Sequence, residues 1–191
     1  MHPYHASGWN REAVYPLLGF DEAYFEPYFI GSSKVRDYIS DAGDFQKIID
    51  SYENKEDGTP LFLFNVTMQN HSSYDGAEEY DNFTPDVTLT NNNTQTLSNY
   101  LSLIKLTDSA FENLITYFAG QDEPTLIVLF GDHQPTDSIA EPVWRENGKS
   151  GSTLTDKEEY ERYEVPFVIW ANYDIDEITG LETSANYLGS R

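Results

Sequence analysis

The chain has 191 residues, and its 33 acidic and 11 basic side chains give a formal net charge of −22 at pH 7. This charge excludes binding to nucleic acids or anionic lipid headgroups by bulk electrostatics, so an anionic substrate must be held locally by a metal ion or a few cations. The absence of cysteine excludes disulfide bonds and thiolate metal sites, and no apolar stretch reaches the roughly 20 residues that a membrane span needs.

Three short apolar runs indicate buried strands, at residues 61–66, 126–130 and 165–170. A helix is predicted between the first two, because apolar residues recur there at three- and four-residue spacing: Leu97, Leu101, Ile104, Phe111, Ile115 and Phe118. Strand, helix and strand in this order predict a βαβ unit, and hence an α/β fold with a mostly parallel sheet and flanking helices. The length favours one globular domain.

The segments between these elements are less regular. A weaker helix is predicted over residues 35–52, with a break or restart suggested by Ser40, Asp41, Gly43 and Asp44. Residues 75–96 and 139–161 are polar and acidic, and long surface loops are predicted there. Loops of this length often rim a functional site, although their acidic side chains are more typical of a solvated surface than of a metal-ligand cluster.

Candidate metal ligands follow the second predicted strand. Ligands of open parallel sheets bind beyond the carboxyl ends of the strands. Residues 126–130 lead directly into Gly131, Asp132 and His133, and a carboxylate beside an imidazole suits a divalent cation such as zinc or manganese. Gly131 is expected to let the backbone turn, so that both side chains face one point. The alternative is a capped turn with a surface histidine.

Candidate substrate-binding residues lie at three further places. His71 follows the first predicted strand, where it either contacts a transferring phosphate or is a loop histidine held by its polar neighbours. Trp9 and Arg11 combine an aromatic ring with a guanidinium, which suits a phosphate or sulfate, although a surface arginine packed on a ring gives the same pattern. His2 is a weaker candidate, because chain ends are often disordered. The sequence contains no recognisable nucleophile motif.

The order of these motifs resembles a known family. Trp9-Asn10-Arg11, the segment 70–74, the run into Asp132-His133 and the strand 165–170 are similar in order and spacing to the C-terminal part of lipoteichoic acid synthase-like proteins. That family belongs to the sulfatase branch of the alkaline phosphatase superfamily. The resemblance implies that residues 1–191 are the C-terminal part of a sulfatase-like catalytic domain. It also implies that the threonine nucleophile, a further acidic metal ligand and the transmembrane helices lie in an N-terminal part outside this sequence.

The resemblance implies roles for the candidate metal ligands and for the whole protein. Asp132 and His133 match the family's metal ligands, with manganese as the expected ion and zinc, magnesium or calcium as alternatives. The implied activity is phosphoglycerol transfer from a phosphatidylglycerol-type lipid during cell-surface polymer synthesis, by an enzyme anchored at the outer face of a bacterial membrane. This chain alone is expected to be inactive.

The resemblance also implies a substrate pocket. His71 matches the histidine that contacts the phosphoglycerol group, Trp9 and Arg11 match the aromatic residue and the cation of the pocket, and His2 matches a pocket histidine. The pocket aspartate of the family falls on Tyr4, where this sequence departs from the pattern.

Two other functions remain open. A sulfatase or a phosphoethanolamine-type transferase would share the fold and differ in the nucleophile that is absent from this sequence. A non-catalytic acidic surface module would need no manganese at Asp132 and His133, and calcium in the loops rich in Asn and Asp would favour it.

Overall fold

The computed structural model describes residues 1–76, 80–149 and 154–190. The described α-helices and strands are, in chain order, α1 (Arg11–Leu17), β1 (Lys34–Val35), β2 (Tyr38–Ile39), α2 (Asp41–Asn54), α3 (Gln95–Ala119), β3 (Leu126–Phe130), α4 (Asp137–Glu146), α5 (Asp156–Glu161) and β4 (Phe167–Ala171). Short 3-10 turns occur at Gly8–Asn10, Glu26–Phe29 and Ala185–Ser190. None of the helices in these ranges combines the length and the hydropathy that crossing a membrane requires.

The longest helix, α3, confirms the helix predicted from the apolar stripe. It begins after Thr94, whose Oγ1 accepts a hydrogen bond from the amide of Leu97 at 3.1 Å and so caps the first turn. One apolar cluster joins α3 to α2, β3 and β4, and its members include Phe45, Phe111, Leu114, Phe118, Ile127, Leu129 and Trp170. This packing of helices on strands confirms the predicted α/β class.

The strand pairing differs from the predicted parallel sheet. β3 and β4 pair antiparallel over five residues, with Leu126 opposite Ala171 and Phe130 opposite Phe167, and β1 and β2 form a second antiparallel pair. Residues 61–66, which were predicted to be a strand, join neither sheet. A mostly parallel sheet is therefore the wrong description of the strand pairs in the described ranges.

A cavity separates residues 61–66 from β3. It has a volume of about 340 Å³ and lies between the segment around Leu61 to Thr67 and the whole of β3, with apolar side chains of α2 and α3 as further lining. Alternate residues of β3 are also left accessible, since Leu126, Val128 and Phe130 are 51%, 37% and 43% exposed. Burial on both faces, as predicted for this strand, is therefore wrong for β3 within the described chain.

The helix predicted over residues 35–52 begins later than expected. Residues 34–39 form the β1–β2 hairpin, and α2 begins after Ser40, whose Oγ accepts a hydrogen bond from the amide of Gly43 at 3.0 Å. The residues that suggested a break are thus the helix cap. Gly43 is required for packing, because a Cβ atom there would lie 2.9 Å from Ser33 Oγ.

The polar segment 139–161 is not a simple loop. It contains most of α4 and all of α5, although residues 150–153 lie outside the described ranges. Ile139 is only 1% exposed and packs with Tyr74, Phe83, Leu97 and Leu103. Residues 80–93 contain no helix or strand, as predicted, yet Ser102 Oγ on α3 accepts hydrogen bonds from two of their amides.

Candidate active site

Five rings from distant parts of the chain meet in what we call the aromatic cage, formed by His2, Tyr4, Trp9, Tyr38 and His71. Trp9 has its centroid 5.6 Å from that of His2 and 5.7 Å from that of His71, in edge-to-face arrangements. The ring centroid of Tyr38 lies 6.1 Å from that of His71 and 6.3 Å from that of Tyr4. The centroids of Tyr4 and His2 are 6.1 Å apart. Each of these centroid separations lies within the range of roughly 4.5–7 Å that is typical of aromatic pairs. Together the five contacts close a ring.

His2 is the buried wall of the cage. Its Nδ1 lies 2.9 Å from the carbonyl oxygen of Val66, so Nδ1 carries the hydrogen and Nε2 keeps a lone pair. Burial lowers the pKa of His2, which keeps the imidazole neutral at pH 7. Nε2 is buried without a hydrogen-bond partner among the described residues.

Trp9 and Arg11 form the cationic side of the cage. Trp9 and Asn10 both have left-handed backbone conformations, with φ of 51° and 56°, and residues outside glycine adopt these only where the surroundings enforce them. The Arg11 guanidinium lies 5.2 Å from the Trp9 ring centroid, and its Nη1 donates a hydrogen bond to Tyr15 Oη at 3.0 Å. The guanidinium is therefore held in place while Trp9 remains 57% exposed.

Arg36, which the sequence did not single out, fixes the loop that carries His71. Its Nη2 donates hydrogen bonds to the carbonyl oxygens of Gln69 at 2.7 Å and His71 at 2.9 Å, and its Nη1 donates to that of Ser73. Arg36 is only 6% exposed and has a left-handed φ of 55°. No local signal in the sequence reveals this role, because the loop lies more than 30 residues away.

Asp132 and His133 are exposed side chains directly after β3. Their Oδ2 and Nε2 atoms lie 3.6 Å apart, and their side chains are 82% and 78% exposed. Gly131 contributes differently from the prediction, since it is absent from the positive-φ glycines and its backbone packs tightly instead. A Cβ atom there would lie 3.1 Å from Cβ of Val165, on the chain leading into β4.

Only an indirect connection through Tyr74 joins the two groups of candidate residues among the described contacts. Burial raises the pKa of Tyr74 to about 12, and the nearby charge of Asp132 adds to that rise. Tyr74 in turn donates a hydrogen bond to the Asn70 carbonyl oxygen at 2.8 Å, beside His71. In the described part of the chain, no three His, Cys, Asp or Glu residues form a group that could hold a metal ion, so Asp132 and His133 fit such an ion as two ligands of an incomplete set.

A buried acidic pair, also not singled out from the sequence, supports the base of the site. Asp41 and Asp44 are both 0% exposed at the start of α2. Thr107 Oγ1 donates to Asp41 Oδ2 at 2.6 Å, and Asn65 Nδ2 donates to Asp44 Oδ2 at 2.9 Å. Burial raises the pKa of Asp41 to about 6 and that of Asp44 to about 7. The only sequence signal for this pair was the spacing of Asp41 and Asp44, three positions apart before an apolar run.

Comparison with known proteins defines the class to which this fold and site belong. The family model named Sulfatase matches residues 1–190, and the chain belongs to that family. The predicted resemblance to the sulfatase branch is thereby confirmed.

Two individual relatives are similar to most of this chain. The chain is 31% identical over 176 residues to a putative cyclic beta-1,2-glucan modification protein of Rhizobium meliloti, covering 90% of this chain and 27% of the relative. It is 26% identical over 145 residues to the lipoteichoic acid synthase of Staphylococcus aureus, covering 70% of this chain and 20% of the synthase. The chain thus spans about a quarter or less of these relatives.

A solved structure supports the fold. The phosphoglycerol transferase GacH of Streptococcus pyogenes, solved in complex with sn-glycerol-1-phosphate, superposes with a TM-score of 0.58 at 24% identity. The match covers 90% of this chain and 42% of GacH. It confirms the expectation of a partial sulfatase-like α/β domain.

Proposed function

We propose that the protein containing these residues is a phosphoglycerol transferase that takes its donor group from a phosphatidylglycerol-type lipid at the outer face of a bacterial membrane. The observation that carries this proposal is the convergence of His2, Trp9, Arg11 and His71 in one site. Relatives named as a lipoteichoic acid synthase and a phosphoglycerol transferase support phosphoglycerol as the transferred group. The product would be a cell-surface polymer carrying phosphoglycerol.

Each of these four candidate residues suits one part of the pocket for a phosphoglycerol group. The planar guanidinium of Arg11 donates two parallel hydrogen bonds to phosphate oxygens and neutralises their charge. His71, which is exposed, donates or accepts at the phosphate, whereas the buried His2 shapes the pocket through its edge-to-face contact with Trp9. The exposed face of Trp9 covers the carbon atoms of the glycerol.

Asp132 and His133 would hold a divalent cation, with manganese as the proposed ion. When bound, the ion lowers the pKa of the nucleophile's hydroxyl group and neutralises charge on the phosphorus oxygens. Asp132 and His133 contribute one carboxylate oxygen and one imidazole nitrogen, and their exposure leaves both free to approach the ion. The remaining ligands and the nucleophile, proposed to be a threonine, would come from elsewhere in the protein.

The apolar cavity beside β3 supports the proposal that these residues are one part of a larger catalytic domain. Its lining combines β3 with apolar side chains such as Phe45, Phe111 and Phe118. A strand from the remainder of the domain would fill this space between residues 61–67 and β3. It would then end between His71 and Asp132, where the missing groups are needed. This chain alone would accordingly be inactive.

The substitution Arg11→Lys tests the proposed function in the whole protein. Lysine keeps the positive charge but loses the planar fork, so kcat/KM for phosphoglycerol transfer from fluorescent phosphatidylglycerol should fall by about tenfold or more. Arg145→Lys is the matched control, because Arg145 lies on α4 and pairs only with the neighbouring Glu141 among its described ion pairs. Equal rates for both variants and the wild type would contradict the proposal.

A further inference from the structure

A second cavity, which we call the tyrosine cavity, adjoins the aromatic cage. It has a volume of about 320 Å³, and Tyr4 and Tyr38 line it while also belonging to the cage. This volume lies at the lower end of the range of roughly 300–1,000 Å³ for small-molecule sites. A small ligand in the cavity would therefore lie directly beside a phosphoglycerol group in the cage.

The polar side chains of the tyrosine cavity do not favour an anion. Glu26 and Asp37 contribute two carboxylates, whereas Lys34 contributes one ammonium group. His5, also in the lining, has its Nδ1 only 2.8 Å from Glu26 Oε2. Since phosphate recognition requires a local excess of cations and hydrogen-bond donors, this lining is unsuited to a second phosphate.

The same lining matches a neutral molecule with many hydroxyl groups. Tyr4 and Tyr38 both line the cavity, with their ring planes inclined at 44° and their centroids 6.3 Å apart. Aromatic rings are the apolar surfaces on which the C–H side of a sugar ring packs. Carboxylates accept hydrogen bonds from hydroxyl groups, and Asp37 is oriented by a hydrogen bond of 2.8 Å from Tyr80 Oη to its Oδ2. Aromatic faces flanked by hydrogen-bonding acceptors are therefore the chemistry of a sugar site.

We propose that the tyrosine cavity binds a neutral sugar unit of the acceptor that receives the phosphoglycerol group. This proposal rests on the proposed function and adds the class of acceptor and its binding site. In the transfer step, a sugar hydroxyl oxygen forms a bond to phosphorus, and the bond from phosphorus to the nucleophile's oxygen breaks. The hydroxyl proton passes to that departing oxygen, so the enzyme is regenerated and no further reactant is needed.

Binding to the chain can be measured by saturation-transfer NMR with a linear glucose pentasaccharide as the probe. Wild type should transfer saturation to the sugar, and Asp37→Asn should weaken sugar binding by about tenfold, because a hydrogen bond to a charged group is lost. Asp37 is exposed, so this variant should keep its fold, which circular dichroism checks. Tyr163→Leu is the control, because Tyr163 is 85% exposed and lies outside the cavity.

Three outcomes would overturn the sugar site: no saturation transfer to the sugar in wild type, equal binding by wild type and Asp37→Asn, or displacement of the sugar by inorganic phosphate. The proposed function is tested separately by adding sn-glycerol-1-phosphate, whose binding should depend on Arg11 and not on Asp37. Sugar binding without glycerol phosphate binding would leave the sugar site standing and contradict the transferase. The reverse result would contradict the sugar site alone.

Kinetics of the whole protein give a second measurement. Asp37→Asn should raise KM for the pentasaccharide acceptor by about tenfold, while KM for the lipid donor stays unchanged. A purely structural defect would change both constants or the amount of folded enzyme. A rise in the donor KM alone would overturn the assignment of the tyrosine cavity to the acceptor.

Discussion

At the scale of single residues, His2, Trp9, Arg11 and His71 lie together although His71 is far along the chain from the other three. Their convergence depends on contacts between distant segments, such as the bond of 2.9 Å between His2 Nδ1 and the Val66 carbonyl oxygen. Their role in substrate binding stays a prediction.

The complete burial of Asp41 and Asp44 could not be predicted from the sequence. Acidic residues in the first turn of a helix are ordinary partners of the helix dipole, and nothing local indicates complete burial. Their hydrogen bonds to Thr107 and Asn65 come from segments far along the chain. The raised pKa values are therefore a consequence of tertiary structure alone.

Asp44 should make stability depend on pH. Its pKa in the folded chain is about 7, above the ordinary value of 3.8, so its contribution to stability is fully present below about pH 4 and is lost as the pH rises towards 7. Asp44→Asn should remove this loss, so urea unfolding at pH 8 should show a smaller deficit relative to pH 5 than in wild type. His2 and the amino group of Met1, whose pKa values are lowered by burial, act in the opposite sense in both proteins.

The control for this measurement is Asp174→Asn, since Asp174 is exposed. That variant should retain the wild-type slope of unfolding free energy against pH. If Asp44→Asn and Asp174→Asn gave the same slope, the assignment of the pH dependence to Asp44 would be wrong.

At the scale of elements, long periodic patterns were predicted well and short elements were not. α3 was predicted because 25 residues carry a continuous apolar stripe. α4 and α5 have 10 and 6 residues, α4 contains Pro142, and both are rich in acidic side chains, so the sequence favoured a loop. The prediction for residues 61–66 failed for another reason, because a strand needs a neighbouring strand and none of the described strands pairs with this segment.

Caps offer a quantitative test at this scale. Ser40→Ala should lower the free energy of unfolding by about 1–2 kcal/mol, because Ser40 Oγ caps α2 through the Gly43 amide. Thr136→Ala is a matched comparison at the N-cap of α4, where the side chain makes no capping hydrogen bond, and it should cost only a few tenths of a kcal/mol. Chemical denaturation of both variants measures the difference, and equal losses would contradict the assigned cap at Ser40.

At the scale of the whole molecule, the accessible face of β3 supports the proposal that the remainder of a larger domain covers this surface. Leu126, Val128 and Phe130 alternate along the strand with Ile127 and Leu129, which pack against α3. An apolar row of this kind beside a cavity is rare on the surface of a complete domain. The family match over 190 residues, together with coverage of 42% of GacH, agrees with this interpretation.

The substitution Val128→Lys should therefore have different effects in two contexts. In the 191-residue chain, where Val128 is 37% exposed, the free energy of unfolding should change by less than about 1 kcal/mol. In the whole protein, burial of the new charge should cost several kcal/mol and reduce the yield of folded enzyme. Leu17→Lys, at a side chain that is 85% exposed, is the control. Similar effects of Val128→Lys in both contexts would show that β3 is not covered.

The hydrogen bonds from Arg36 to three carbonyl oxygens have a consequence for the position of the His71 loop. A single guanidinium donates hydrogen bonds to the carbonyl oxygens of Gln69, His71 and Ser73, so loss of this one side chain would remove all three contacts together. The loop should therefore lose its position as a unit when Arg36 is replaced. The position of His71 beside Trp9 is then decided by a residue that forms no part of the cage.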